Sequence, residues 1–228
     1  MKRTDLFVPS ISLCLMILLS YNTLTAAQAM TPVGPEVVWQ PAPRSMQAMR
    51  EACAKVAPAK YGECLVSEMP AAGAPPGAVA FTRRIQEQMG QIAYARDFRE
   101  AGKVGVILIE YMLRANENQG WLLVNGNPAL MDVDDMRWLS KESMRDNPAY
   151  AALADRYPRL MLFPGDRSST KELQVDPLPD GGERFVIRYR LLNGCHACER
   201  LASCRIGFDF DEAGRFLGSR FLGLENEK

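Results

Sequence analysis

From Phe185 to Leu191 every second residue is large and apolar: Phe185, Ile187, Tyr189 and Leu191 alternate with Arg184, Val186, Arg188 and Arg190. A side-chain period of two places one set on each face of an extended strand. Ile206, Phe208 and Phe210 repeat the pattern against Gly207, Asp209 and Asp211, and Arg215 to Leu224 forms a further strand after a turn at Gly214. Such runs, joined by short turn-bearing connections, predict an antiparallel meander with one face on a core. On its wet face Arg188 and Arg190 are expected opposite Asp209, a solvated pairing that contributes little stability.

The chain before this sheet has a different period. Met46, Met49, Cys53 and Val56 recur at helical spacing, with Ser45 as the N-cap and Pro58 as the stop. Pro70 to Gly77 is a Pro/Ala/Gly linker. A longer helix is predicted over 77–101, with Phe81, Ile85, Met89 and Ile92 as its apolar stripe and Gly102 closing it. Val104 to Leu113 is apolar on both alternating faces, which suits a central strand. Trp121 to Val124 returns, and Asn125-Gly126-Asn127-Pro128 breaks it. Two short helices follow over 133–144 and 148–157, the second capped by Asn147 with Pro148 in first position. Helices first, then sheet, with short helices inserted, gives the α+β class: N-terminal helices packed on an antiparallel sheet.

The first residues read as an export signal. Lys2 and Arg3 precede an apolar run from Leu6 to Leu19, and Ala27-Gln28-Ala29 has the small-x-small form of a cleavage site. The expected division is a signal peptide over 1–29, a Pro-rich extended leader over 30–44, and a single α+β domain over 45–228. Cleavage after Ala29 makes the periplasm, or the medium outside the cell, the expected address. It leaves 25 basic and 26 acidic residues of the 27 of each in the whole chain. That balance gives no electrostatic reason to bind nucleic acid or an anionic membrane. The expected partner is another envelope protein, and no motif requires a cofactor.

Five cysteines remain beyond the signal: Cys53, Cys64, Cys195, Cys198 and Cys204. In an oxidising compartment close pairs bridge by default. Cys53 lies on the apolar face of its helix, and Cys64 follows in a short stretch able to fold back on it, so these two are expected to join. Alternation with Ile206 and Phe208 turns Cys204 inward as the odd, inert thiol.

Cys195-His196-Ala197-Cys198 joins two strands and holds the chain's single histidine. One reading is a structural disulfide that stiffens a recognition loop. A second is a redox dithiol of Cys195 and Cys198 in which His196 favours the thiolate. Over these four residues the motif resembles the active-site motif of the thioredoxin-like family, which implies thiol–disulfide exchange. In that family the motif opens a helix, whereas here it lies between antiparallel strands. A third reading is a metal site of Cys195, Cys198, Cys204 and His196, one half of a zinc spacing. A c-type haem is excluded because Glu199 stands where the haem motif needs histidine.

Other signatures fail. There is no nucleophile elbow, no G-x-G-x-x-G and no phosphate loop. Asp132-Val133-Asp134-Asp135 lacks the glycine and distant glutamate of an EF-hand, and Asp134 or Asp135 capping the next helix accounts for it better. The sequence thus points to an exported, non-catalytic binding or scaffolding domain with a stiffened Cys-His-Ala-Cys loop. Thiol–disulfide oxidoreductase and metal-binding accessory protein stand as the alternatives.

Overall fold

The long helix expected over 77–101 ends early, at a glycine. Gly90 holds φ +66°, the left-handed conformation that closes a helix, and its N–H donates to Gln86 O at 2.9 Å. Beyond it the chain extends. Gly102, expected to end the helix, instead sits first in a two-residue turn with φ +69° that pairs Ala101 with Val104. The last nine residues of the expected helix are therefore a strand: Tyr94 and Phe98 satisfy a helical and an extended pattern alike, and the two turn glycines decide between them.

In the computed structural model the described residues are 31–114, 118–165, 167–195 and 197–225. The helices are α1 (Pro43–Cys53), α2 (Tyr61–Glu68) and α3 (Pro76–Met89), followed by strands β1 (Ala93–Ala101), β2 (Val104–Tyr111), β3 (Gln119–Val124) and β4 (Leu130–Asp132). Then come α4 (Lys141–Arg145), α5 (Pro148–Arg156), β5 (Leu160–Pro164), β6 (Gln174–Pro177), β7 (Glu183–Asn193), β8 (Arg200–Phe210) and β9 (Phe216–Glu225). This is the α+β arrangement expected from the sequence, with antiparallel meander order. The strands divide between two sheets: β1-β2-β3-β4, and β5-β7-β8-β9 with β6 also on β7.

One core joins the sheets. Val106 and Leu108 of β2 and Trp121 and Leu123 of β3 share it with Phe185, Ile187 and Tyr189 of β7 and Ile206 and Phe208 of β8. The opposite alternation of the first sheet, Ile107, Ile109, Leu122 and Val124, buries against Phe81 and Ile85 of α3. β2 is thus apolar on both faces because it has a layer on each side. A third cluster holds α1 and α2 together through Met49, Cys53, Leu65 and Met69.

The Pro-rich segment packs against the fold at several points. Val33, Val37 and Trp39 are buried, Trp39 N–H donates to Ala95 O at 2.9 Å, and Val38 bridges Ala95 in parallel. Asn125, at φ 68°, clamps Val33 with two 2.7 Å bonds, Val33 N–H to Asn125 Oδ1 and Asn125 Nδ2 to Val33 O. α1 opens two residues ahead of Ser45, with Pro43 in its first turn and Ala42 before it; no side chain caps it. Asn147 does cap α5, accepting from Ala149 and Tyr150 N–H. The expected signal peptide, residues 1–29, lies outside the described residues. No helix among those described is long and apolar enough to cross a membrane.

Candidate functional site

Cys53 and Cys64 are joined, with Cα atoms 5.8 Å apart. Cys64 lies on helix α2, where an irregular stretch was expected; the bridge ties α1 to α2 side by side. Cys204 is free and fully buried, opposite Tyr189 in the core between the sheets. Burial, then the charge of Glu225, pushes its thiol up to about 12. It packs there as a small apolar side chain.

Cys195 and Cys198 are also joined, with Cα atoms 5.0 Å apart, at the tip of the β7–β8 hairpin. Gly194 at φ +92° turns the chain out of β7, and a Cβ there would meet Arg159 Cβ at 3.2 Å. Cys198 N–H closes onto Cys195 O, and Asn193 N–H onto Glu199 O, both at 3.0 Å. The motif therefore runs strand to strand, and among the described residues no helix begins at it. The helix N-terminus that lowers the pKa of an exchanging thiol is missing from this setting. His196 lies outside the described residues. Cys204 sits four residues into β8, roughly 13 Å along the strand from its first residue at about 3.3 Å each, and on the buried face. The structure thus brings Cys195 to Cys198 and leaves Cys204 apart from both.

The wet-face pairing differs from expectation. Register sets Arg184 opposite Asp209, and the two form a bidentate pair at 2.6 and 2.7 Å. Arg188 reaches Glu225 at 2.5 Å instead, and Arg190 Nε donates to Pro164 O at 2.9 Å. The bulges in β8–β9 pairing, which bring Glu225 level with Ser203, are not visible in alternation alone.

A second site was not anticipated. At the outer edge of the first sheet, between β4, the end of α3 and β5, lies a cleft of about 630 Å³. Met89, Leu130, Met136, Trp138, Leu162 and Phe163 give it apolar walls. Three carboxyls line it: Asp132, Asp134 and Asp135. Asp135 caps the short turn Met136–Trp138 and pairs with Arg137 at 2.6 Å. Asp134 pairs with Arg167, whose side chain is 1% exposed. That guanidinium lies 5.0 Å from the Trp121 ring and 6.0 Å from the Tyr189 ring, one from each sheet.

Asp132 is different. It accepts from Asp134 N–H at 2.9 Å and from Tyr111 Oη at 3.2 Å, and among the described residues it has no ion-pair partner. Burial, and then the charge of Asp134, lifts its carboxyl from 3.8 to about 6. On the same tyrosine the Arg114 guanidinium stacks 3.4 Å from the ring centroid, at the exposed rim of the cleft. One tyrosine thus separates an acid from a base, and both line the same cleft of mixed polar and apolar walls.

The Asp132–Asp135 run was legible only as a cap. Its countercharge, Arg167, is 33 residues downstream of Asp134 in a segment with no periodicity. Tyr111 read only as the end of a central strand. No family model, curated protein or solved structure matches this chain.

Proposed function

We propose that the protein is an exported binding domain, working in the periplasm or outside the cell, and that it performs no thiol chemistry of its own. Its ligand is a small zwitterion with an apolar body, such as an apolar α-amino acid. One observation carries this reading: Asp132 and Arg114 flank Tyr111 in one cleft, which also has an apolar wall, without bonding each other. An ammonium placed at Asp132 and a carboxylate at Arg114 satisfy both groups, while the remainder of the ligand displaces water from Met136, Trp138 and Phe163.

Two disulfides suit the same role. Cys53–Cys64 holds the helical layer, and Cys195–Cys198 stiffens a hairpin tip. Binding energy is then spent less on ordering the protein.

The test uses L-phenylalanine and its two half-charged analogues in titration calorimetry. L-Phenylalanine binds, while phenethylamine, lacking the carboxylate, and 3-phenylpropionate, lacking the ammonium, each bind about tenfold or more weaker. Arg114→Gln narrows the gap between L-phenylalanine and phenethylamine. Equal affinity for all three compounds, or no binding of any, overturns the reading.

A further inference from the structure

The outer face of the second sheet carries a surplus of arginine. Arg184, Arg188 and Arg190 of β7, Arg200 and Arg205 of β8, and Arg220 of β9 all occupy its outward alternation. Among the described residues the acids on that face are Asp176, Asp209 and Glu225.

Those acids are already engaged. Asp209 takes both prongs of the Arg184 fork, and Arg220 stands 4.0 Å from it. Glu225 is shared between Arg188 at 2.5 Å and Arg205 at 3.6 Å. Arg188 and Arg205 are direct cross-strand partners. Like charges in that position repel, and the two share the single carboxylate of Glu225. Their side chains are 59% and 46% exposed, and that of Arg220 is 67%.

The surface is also kept low. Gly207 lies beneath Arg184, whose Cδ is 2.8 Å from where a Cβ would be. Gly218 and Gly223 of β9 have open space above them. The result is a face with no side-chain relief at Gly207, Gly218 and Gly223, studded with guanidinium groups, three of them well exposed.

We propose that this face docks a partner protein through a run of carboxylate side chains. The Arg184–Asp209 fork shows the geometry already in use within the face. Planar guanidinium groups match carboxylates two bonds at a time. The chain as a whole has 27 basic and 27 acidic residues. Its positive charge is therefore local, which favours a matching acidic patch over long-range attraction to a polyanion. Its three well-exposed arginines, Arg188, Arg205 and Arg220, do not line the cleft at Asp132.

The probe is a short alternating Asp-Glu peptide carrying a fluorophore, read by anisotropy against the purified protein with both disulfides intact. Binding is expected to weaken about tenfold between roughly 0.05 and 0.3 M NaCl. Arg188→Glu with Arg205→Glu is expected to abolish it. Arg188→Gln with Arg205→Gln, which relieves the like-charge repulsion and leaves amide donors beside Glu225, is expected to weaken it about fivefold or more while the far-UV spectrum stays that of wild type. Lys60→Glu with Arg83→Glu makes the same change in net charge on the helical layer and leaves binding intact. The proposal is overturned if the helical-layer variant loses as much as the sheet variants. It is equally overturned if the peptide fails to bind while phosphatidylglycerol vesicles do.

Discussion

Tyr111 donates its hydroxyl to Asp132 Oδ2 at 3.2 Å, joining the end of β2 to the end of β4 across β3. The phenol lies under the Arg114 guanidinium, and burial, then the charge of Asp132, holds its own proton firmly in place. The hydroxyl therefore remains a donor throughout the working pH range, and the acid beside it is the group that titrates.

Asp132 makes stability fall as pH rises. Its carboxyl is lifted from 3.8 to about 6 in the folded protein. Between those values the native state holds a proton that the unfolded chain has released. The stabilising contribution is full below the unfolded value and is lost as pH rises through about 6. Two pKa steps set its ceiling near about 3 kcal/mol. Urea unfolding of Asp132→Asn, compared with wild type, checks this. The variant is expected to gain on wild type by about 1–2 kcal/mol between pH 4 and pH 8. A constant difference across that range contradicts it.

Arg167 and Asp134 depend on each other. With the arginine side chain 1% exposed and the aspartate 15%, removing either leaves a charge buried without its partner. Arg167→Met is expected to cost about 3–5 kcal/mol. Adding Asp134→Leu should return most of that loss, because the pair is then replaced by apolar volume. Additive losses in the double variant would show that the two side chains act separately.

The Cys53–Cys64 bridge closes a separation of 11 residues. Replacing both cysteines by alanine should lower stability by about 2–3 kcal/mol, chiefly by freeing the unfolded chain. The loss should be the same from pH 5 to pH 8, since no titrating group is involved. Thermal unfolding at two pH values measures it.

The hairpin disulfide should be hard to reduce. Cys195–Cys198 spans a strand-to-strand tip closed by its own backbone bonds, with no helix beginning at the motif. A reduction potential below roughly −300 mV is expected, unchanged by His196→Ala. A potential above roughly −270 mV that falls in the His196→Ala protein belongs to a thiol–disulfide exchanger instead.

Alternation and caps carried much of the fold into view. Phe185, Ile187 and Tyr189 announce β7, and Asn147-Pro148 announces α5, because each depends on neighbours in sequence. What alternation cannot show is which sheet a strand joins. β2 and β7 both face one core, and only the three-dimensional arrangement separates their sheets. β5 and β6 are short strands that both pair with β7, too brief for a pattern to emerge. The cleft was hidden for a related reason. Tyr111, Asp132 and Arg167 come from three separate segments, and no spacing rule links them. The hairpin cysteines, three residues apart, were legible at once.

The most direct test of the binding account is the affinity for L-phenylalanine as a function of pH, in wild type and Asp132→Asn. An ammonium at Asp132 needs the carboxylate ionised. Wild-type affinity should therefore hold steady above about pH 6 and drop by up to about tenfold per unit below it. Asp132→Asn should bind weakly at every pH, with no inflection near 6. Wild-type affinity that ignores pH through that region, or an Asp132→Asn protein that binds as tightly as wild type, would contradict the account.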